Sequence, residues 1–167
     1  MSLILQQHVP VCRADLSALQ NYSPRILNVL CQLQIYVQHV VAGKGRSGFV
    51  ANSFAMRLNQ LGKQAHVVGE STTPAIKSND VFVIISGSGS TEHLRLLADK
   101  AKSVGADIVL ITTNKDSAIG NLAGTNIVLP AGTKYDEQGS AQPLGSLFEQ
   151  ASQLFLDSVV MLSLIHI

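Results

Sequence analysis

The sequence predicts an α/β domain: a doubly wound parallel sheet of five strands in flavodoxin-like order. Three features point to it. Short segments such as DVFVIIS (80–86) and DIVLIT (107–112) are nearly unbroken runs of Val, Ile, Leu and Phe. A strand of that texture is covered on both faces, as in a parallel sheet between two helical layers. Segments with apolar residues at helical spacing alternate with these runs, and right-handed crossovers then wind the chain to both sides of the sheet. The chain has 167 residues, 46% apolar and 14% charged, enough for one domain with a substantial core.

From about Arg13 to Leu33, scattered apolar positions read as a pair of helices broken near Ser23-Pro24, because proline starts a helix more readily than it continues one. Tyr36 to Ala42 is a β-branched run and the first strand. Phe49 to Leu61 has helical spacing, with Gly62 as its stop. Ala65 to Val68 is the second strand and Asp80 to Ser86 the third. Leu94, Leu97, Ala98, Ala101 and Val104 mark a helix closed by Gly105. Asp107 to Thr112 is the fourth strand, Ser117 to Ala123 a short helix, and Asn126 to Leu129 the fifth strand. A polar loop from Pro130 to Gln142 leads to a last helix from about Leu144. The expected organisation is a single domain over 1–167, with a helical segment at 1–34 and the sheet core and last helix at 35–161.

Composition excludes several classes. A net charge of +1 gives no basis for broad capture of nucleic acid or of an acidic membrane. Cys12 and Cys31 show no zinc or redox spacing and read as reduced thiols. Asn21-Tyr22-Ser23 fits a glycosylation triplet, but no secretory signal precedes it. The apolar C-terminal run is interrupted by Asp157, Ser158 and Ser163 and is short for a membrane span. A soluble, cytoplasmic protein is expected. The histidines (His8, His39, His66, His93 and His166) lack metal-ligand spacing, so no metal is expected, although His93 follows a candidate binding loop and is placed to touch a ligand.

Ligands of such sheets bind at the carboxyl ends of the strands. Strand one ends in Gly43-Lys44-Gly45-Arg46-Ser47-Gly48, strand three in Ser86-Gly87-Ser88-Gly89-Ser90-Thr91, and strand four in Thr112-Thr113-Asn114. Glycines let backbone N–H groups approach an anion, hydroxyls add donors, and the following helix adds the positive end of its dipole. The second loop fits one phosphate monoester, held by Ser86, Ser88, Thr91 and backbone amides; the alternative is a flexible turn with a Ser/Thr helix cap. The first loop also fits a dinucleotide fingerprint through Gly43, Gly45 and Gly48, with Glu70 about 20 residues on. Lys44 and Arg46 weigh against that fingerprint, which relies on backbone amides, and it leaves the Ser/Thr loop without a role. In the last helix, Leu144, Leu147, Phe148 and Ala151 form a buried stripe with Glu149 beside it. Spacing alone leaves Glu149 either a solvated charge at a helix start or a carboxylate that reaches a pocket.

Taken together, GKGRSG with SFAMRLNQLG behind it, VVGESTTPAI, DVFVIISGSGST, ITTNKDSAIGNLA and QPLGSLFEQASQLFLDSVV resemble the sugar isomerase (SIS) domain, in its 6-phospho-3-hexuloisomerase branch. The likeness runs from about Tyr36 to Met161. It implies interconversion of 3-hexulose 6-phosphate and fructose 6-phosphate through an enediol, with no cofactor. It further implies a homo-oligomer, a tetramer by likeness, working in the ribulose monophosphate (formaldehyde) route beside the aldolase hexulose-phosphate synthase. By the same resemblance Glu149 takes the place of the catalytic base, and Ser47, Ser86, Ser88 and Thr91 take phosphate- and sugar-binding places, with Gly45 and Arg46 beside them. The family continues past this point with a further helix and a basic, His-containing tail. Leu162 to Ile167 reads instead like a translated transposase end, so a shortened chain with an artefactual end is expected, and His166 is not equated with the family histidine. Two other readings differ in class. One is a non-catalytic SIS module that senses a sugar phosphate. The other is an oxidoreductase holding NAD(P) on Gly43, Gly45, Gly48 and Glu70.

Overall fold

The computed structural model describes residues 36–131 and 145–165. The expected helix pair of 13–33 and most of the polar loop of 130–142 lie outside these residues. The elements are β1 (Gln38–Gly43), α1 (Arg46–Gln60), β2 (Gln64–Val67), β3 (Val81–Ile85), α2 (Glu92–Ser103), β4 (Asp107–Thr112), β5 (Thr125–Val128) and α3 (Ser146–Ile165). All strand pairs are parallel, and the order is β2-β1-β3-β4-β5. This is the flavodoxin-like order expected from the sequence. Gly43 lies opposite Ile85, so the loops leaving β1 and β3 start side by side, at the point where the strand order reverses.

Successive side chains of a strand point to opposite faces, and here both faces are covered. Val41, Val83 and Ile85 pack with Phe54 and Leu58 of α1 and with Phe155, Leu156 and Val159 of α3. Val40, Ala42, Phe82 and Ile84 pack with Leu94, Ala98 and Ala101 of α2. Every residue of β3 is buried as a result, which is why its sequence shows no polar alternation. At the amino end of the sheet, the Tyr36 hydroxyl donates to the Asp107 carboxylate at the start of β4. Burial first, and then that hydrogen bond and charge, push the Tyr36 phenol up to about 12. Among the described residues no helix is long and apolar enough to cross a membrane.

Three expectations need correction. Helix α1 begins at Arg46, ahead of Phe49. Gly45 turns the chain with φ 58° and ψ −132°, a conformation that suits glycine, and Gly48 N–H already donates to the Gly45 carbonyl at 3.0 Å. Residues 117–123 form turns in place of a short helix. The turns are closed internally by Asn121 N–H to Ser117 O and Ala123 N–H to Ile119 O, both at 3.0 Å, and tied outward by Ile119 N–H to Gly89 O at 3.0 Å and by Asn126 Nδ2 to Gly120 O at 3.0 Å. The sequence of α3 reads as apolar on two sides, with Leu147, Phe148, Leu154 and Phe155 on one and Leu156, Val160 and Met161 near another, too many for one sheet to cover. In fact Leu156 and Val160 share a single core with Phe148 and Phe155. Among the α3 side chains that are described, Leu154, 60% exposed, is the large apolar one left in solvent.

Candidate active site

The carboxyl ends of β1 and β3 and the start of α3 enclose a cavity of about 360 Å³. Gly45, Arg46 and Ser47 line it from the β1 side, and Ser86, Ser88 and Thr91 from the β3 side. Glu149 closes it from α3. All seven residues singled out in the sequence therefore meet in one place.

Two helices present their amino ends here. Helix α1 is entered through Gly45, and neither this position nor Thr91 at the cap of α2 makes a side-chain capping hydrogen bond. The Thr91 hydroxyl lies instead 3.5 Å from Ser86 Oγ. The first-turn N–H groups of both helices thus lack a side-chain acceptor, and such groups favour an anion. A carboxylate in the first turn of α2 opposes this, but Glu92 is engaged by Arg95 at 2.7 and 3.0 Å. That hydrogen bond and the guanidinium charge hold the Glu92 carboxyl below its usual range. Arg95 also reaches Asp99 at 2.8 Å, so one guanidinium is shared by both carboxylates.

Glu149 is held by Arg46. Its carboxylate accepts from Arg46 Nε, joining the α1 loop to α3. The Glu149 side chain is 15% exposed and that of Arg46 60%. A shielded acid thus carries a cation that is largely in water and has room to move. The neighbouring Phe148 is buried and lies against the β3 loop. A Cβ on Gly87 would sit 3.2 Å from the Phe148 ring, so the absence of a side chain at Gly87 lets α3 approach. Gln153 Nε2 donates to Ser53 Oγ at 3.1 Å and fixes α3 against α1 further along.

Lys44, Gly87 and Phe148 also line the cavity, and none was a site residue in the sequence reading. Lys44 offered a signal, a cation inside a strand-to-helix loop, whereas Phe148 was indistinguishable from any core position. Glu70 lies elsewhere, in a shallow groove with Asn52, Met56 and Asn59 beside β2. The glycine loop and its acidic partner therefore do not converge on this cavity. His93 is exposed on α2 and does not line the cavity, against expectation. Thr112, Thr113 and Asn114 at the end of β4 stand behind the β3 loop, outside the lining. Among the described residues no group of three or more His, Cys, Asp or Glu is gathered as a metal site.

A parallel sheet whose switch point holds a Ser/Thr loop, two helix starts without a side-chain cap and one shielded carboxylate belongs to the class of sugar-phosphate-handling domains. Residues 37–156 match the SIS domain model; the chain belongs to the SIS-domain family, among its sugar-phosphate isomerases. It is 44% identical to the 3-hexulose-6-phosphate isomerase of Bacillus subtilis over 137 residues, which is 80% of this chain and 72% of that protein. The enzyme of the same name from Mycobacterium gastri is 44% identical over 121 residues, 71% of this chain and 61% of that one. A solved Methanococcus jannaschii structure, described as inferring 3-hexulose-6-phosphate isomerase function, superposes with a TM-score of 0.80 at 29% identity. It covers 87% of this chain and 79% of its own.

Proposed function

We propose that this chain interconverts 3-hexulose 6-phosphate and fructose 6-phosphate. The observation that supports this most is the meeting of Glu149, paired with Arg46, and the Ser86 to Thr91 loop across one cavity of sugar-phosphate size. The phosphate sits on that loop, on the hydroxyls of Ser86, Ser88 and Thr91 and on amides at the start of α2. This anchors the sugar with its middle carbons facing α3.

Glu149 takes the proton from C2, which the C3 carbonyl acidifies. The C–H electron pair becomes the C2=C3 double bond, and the carbonyl pair moves onto O3. Negative charge thereby leaves the carboxylate and appears on the substrate, while Arg46 beside both keeps a partner throughout. After a proton passes from O2 to O3, Glu149 returns its own proton to C3 and the C2 carbonyl forms. No electrons leave the substrate, so the reaction needs no redox cofactor. Ser47 and Gly45 complete the sugar side of the pocket.

The same reading places the chain in the cytoplasm as a homo-oligomer, a tetramer by likeness to the family. It supplies the consumer of the product of hexulose-phosphate synthase in the ribulose monophosphate route. The test is a coupled assay for fructose 6-phosphate formed from enzymatically generated 3-hexulose 6-phosphate. Turnover that tracks the purified chain supports the proposal. Tight sugar-phosphate binding without turnover would transfer the assignment to a sensing module.

A further inference from the structure

The Thr112-Thr113 pair at the end of β4 lies outside the cavity, yet it is tied to the loop that lines it. The Gly87 carbonyl accepts three hydrogen bonds: from Thr113 N–H at 3.0 Å, from Thr112 Oγ1 at 2.9 Å and from Thr113 Oγ1 at 2.9 Å. A carbonyl oxygen has two lone pairs, so this one is saturated. Gly87 C=O shares its peptide unit with Ser88 N–H. The chain has no cis peptide among the described residues, and in a planar trans unit the C=O and N–H point in opposite directions. With the carbonyl pinned toward β4, the Ser88 N–H faces away from β4, on the side where Gly87 and Ser88 line the cavity. That N–H has no acceptor among the described residues. The two amides that follow it are engaged: Gly89 N–H donates to Ser86 O at 3.2 Å and Ser90 N–H to Ser88 Oγ at 3.3 Å.

We infer that Thr112 and Thr113 aim and polarise the Ser88 amide, making it the principal backbone donor to the bound anion. Three donors on a carbonyl draw electron density through the amide and strengthen its N–H as a donor. Fixing the unit beforehand also removes the cost of ordering the loop when ligand arrives. Thr113 is the positioning residue open to test, because it is half-buried and Thr112 is fully buried and also bonds Asn114. The inference rests on the proposed phosphate site, and it adds that the specificity of the β3 loop for an anion is set from β4.

The experiment follows the Ser88 amide resonance of ¹⁵N-labelled protein during titration with inorganic phosphate and with fructose 6-phosphate. In the parent, Ser88 should show the largest downfield shift in the 86–91 loop. Thr113→Val, which keeps shape and removes one hydroxyl donor, should weaken fructose 6-phosphate binding about three- to tenfold. It should also move the Ser88 resonance upfield before any ligand is added, and Thr113→Ser should restore both. Thr113→Val binding as the parent does, with an unchanged Ser88 shift, overturns the inference. A parent whose Ser88 amide is unmoved by either anion overturns it without any variant. Phosphate binding that depends on Thr113, in a chain that ignores fructose 6-phosphate, keeps the aiming device and removes the substrate assignment.

Discussion

At the scale of single residues, the assignment stands on Glu149. Glu149→Gln keeps the shape of the side chain and removes its basicity. We expect kcat to fall by about 10²–10⁴ while sugar-phosphate affinity survives. Exchange of the substrate C2 proton with deuterated solvent should be lost in step. Near-parent kcat in that variant would place the base elsewhere. Helical spacing alone could not decide the role of Glu149, since a solvated charge at a helix start gives the same pattern. The contacts that support a site role are non-local: Arg46 from the β1 loop and the room that Gly87 leaves for Phe148. Only the resemblance to known isomerases made the residue readable. A second residue-scale expectation concerns Tyr36, whose phenol is raised to about 12 in the fold. Between pH 10 and 12 the unfolded chain has lost this proton and the folded chain has kept it. Stability contributed by Tyr36 is therefore complete below pH 10 and disappears as pH rises through 12. Thermal midpoints measured across that window should fall less steeply for Tyr36→Phe than for the parent.

At the scale of elements, strands were more legible than turns. Every position of β4 after Asp107 is buried, so an unbroken apolar run marks its bounds, and the expected Asp107–Thr112 is the observed strand. The start of α1 left no such mark. Arg46, Ser47 and Gly48 have no apolar period, and Phe49, the first apolar residue, is 74% exposed and outside the buried stripe of Val50, Phe54 and Leu58. Residues 117–123 resemble a helix in spacing, but Ile119 N–H and the Gly120 carbonyl go to Gly89 and Asn126, partners that sequence periodicity cannot reveal. The tie to Gly89 gives a prediction. Gly89 has φ +61°, and a Cβ there would fall 2.1 Å from Ser117 Oγ. Gly89→Ala should cost about 1–3 kcal/mol for the backbone alone, with a further loss from the clash. Adding Ser117→Gly should recover the second part and leave the first, as read from chemical denaturation of the single and double variants.

At the scale of the whole molecule, the packing of α3 changes the case for assembly. With Leu156 and Val160 buried inside the chain, the large apolar side chains exposed on this layer, among the described residues, are Phe49 and Met56 of α1 and Leu154 of α3. We expect light scattering at micromolar concentration to give a multiple of the chain mass. Phe49→Lys with Met56→Lys should shift it toward the monomer, and an unchanged mass would direct attention to other surfaces.

The two halves of the cavity differ in how deeply they are rooted. The Ser86 to Thr91 loop is strung between β3, at the centre of the sheet, and α2, which has its own core with β3 and β4. Glu149 rides on α3, which among the described residues packs into a single core layer. Local opening takes the least anchored unit first. As urea is raised, turnover should therefore fade before ligand capture, leaving a narrow concentration range where the protein still grips a sugar phosphate without transforming it. Parallel titrations of rate and of phosphate affinity would reveal that interval, and coincident loss of the two would show that α3 opens only together with the sheet.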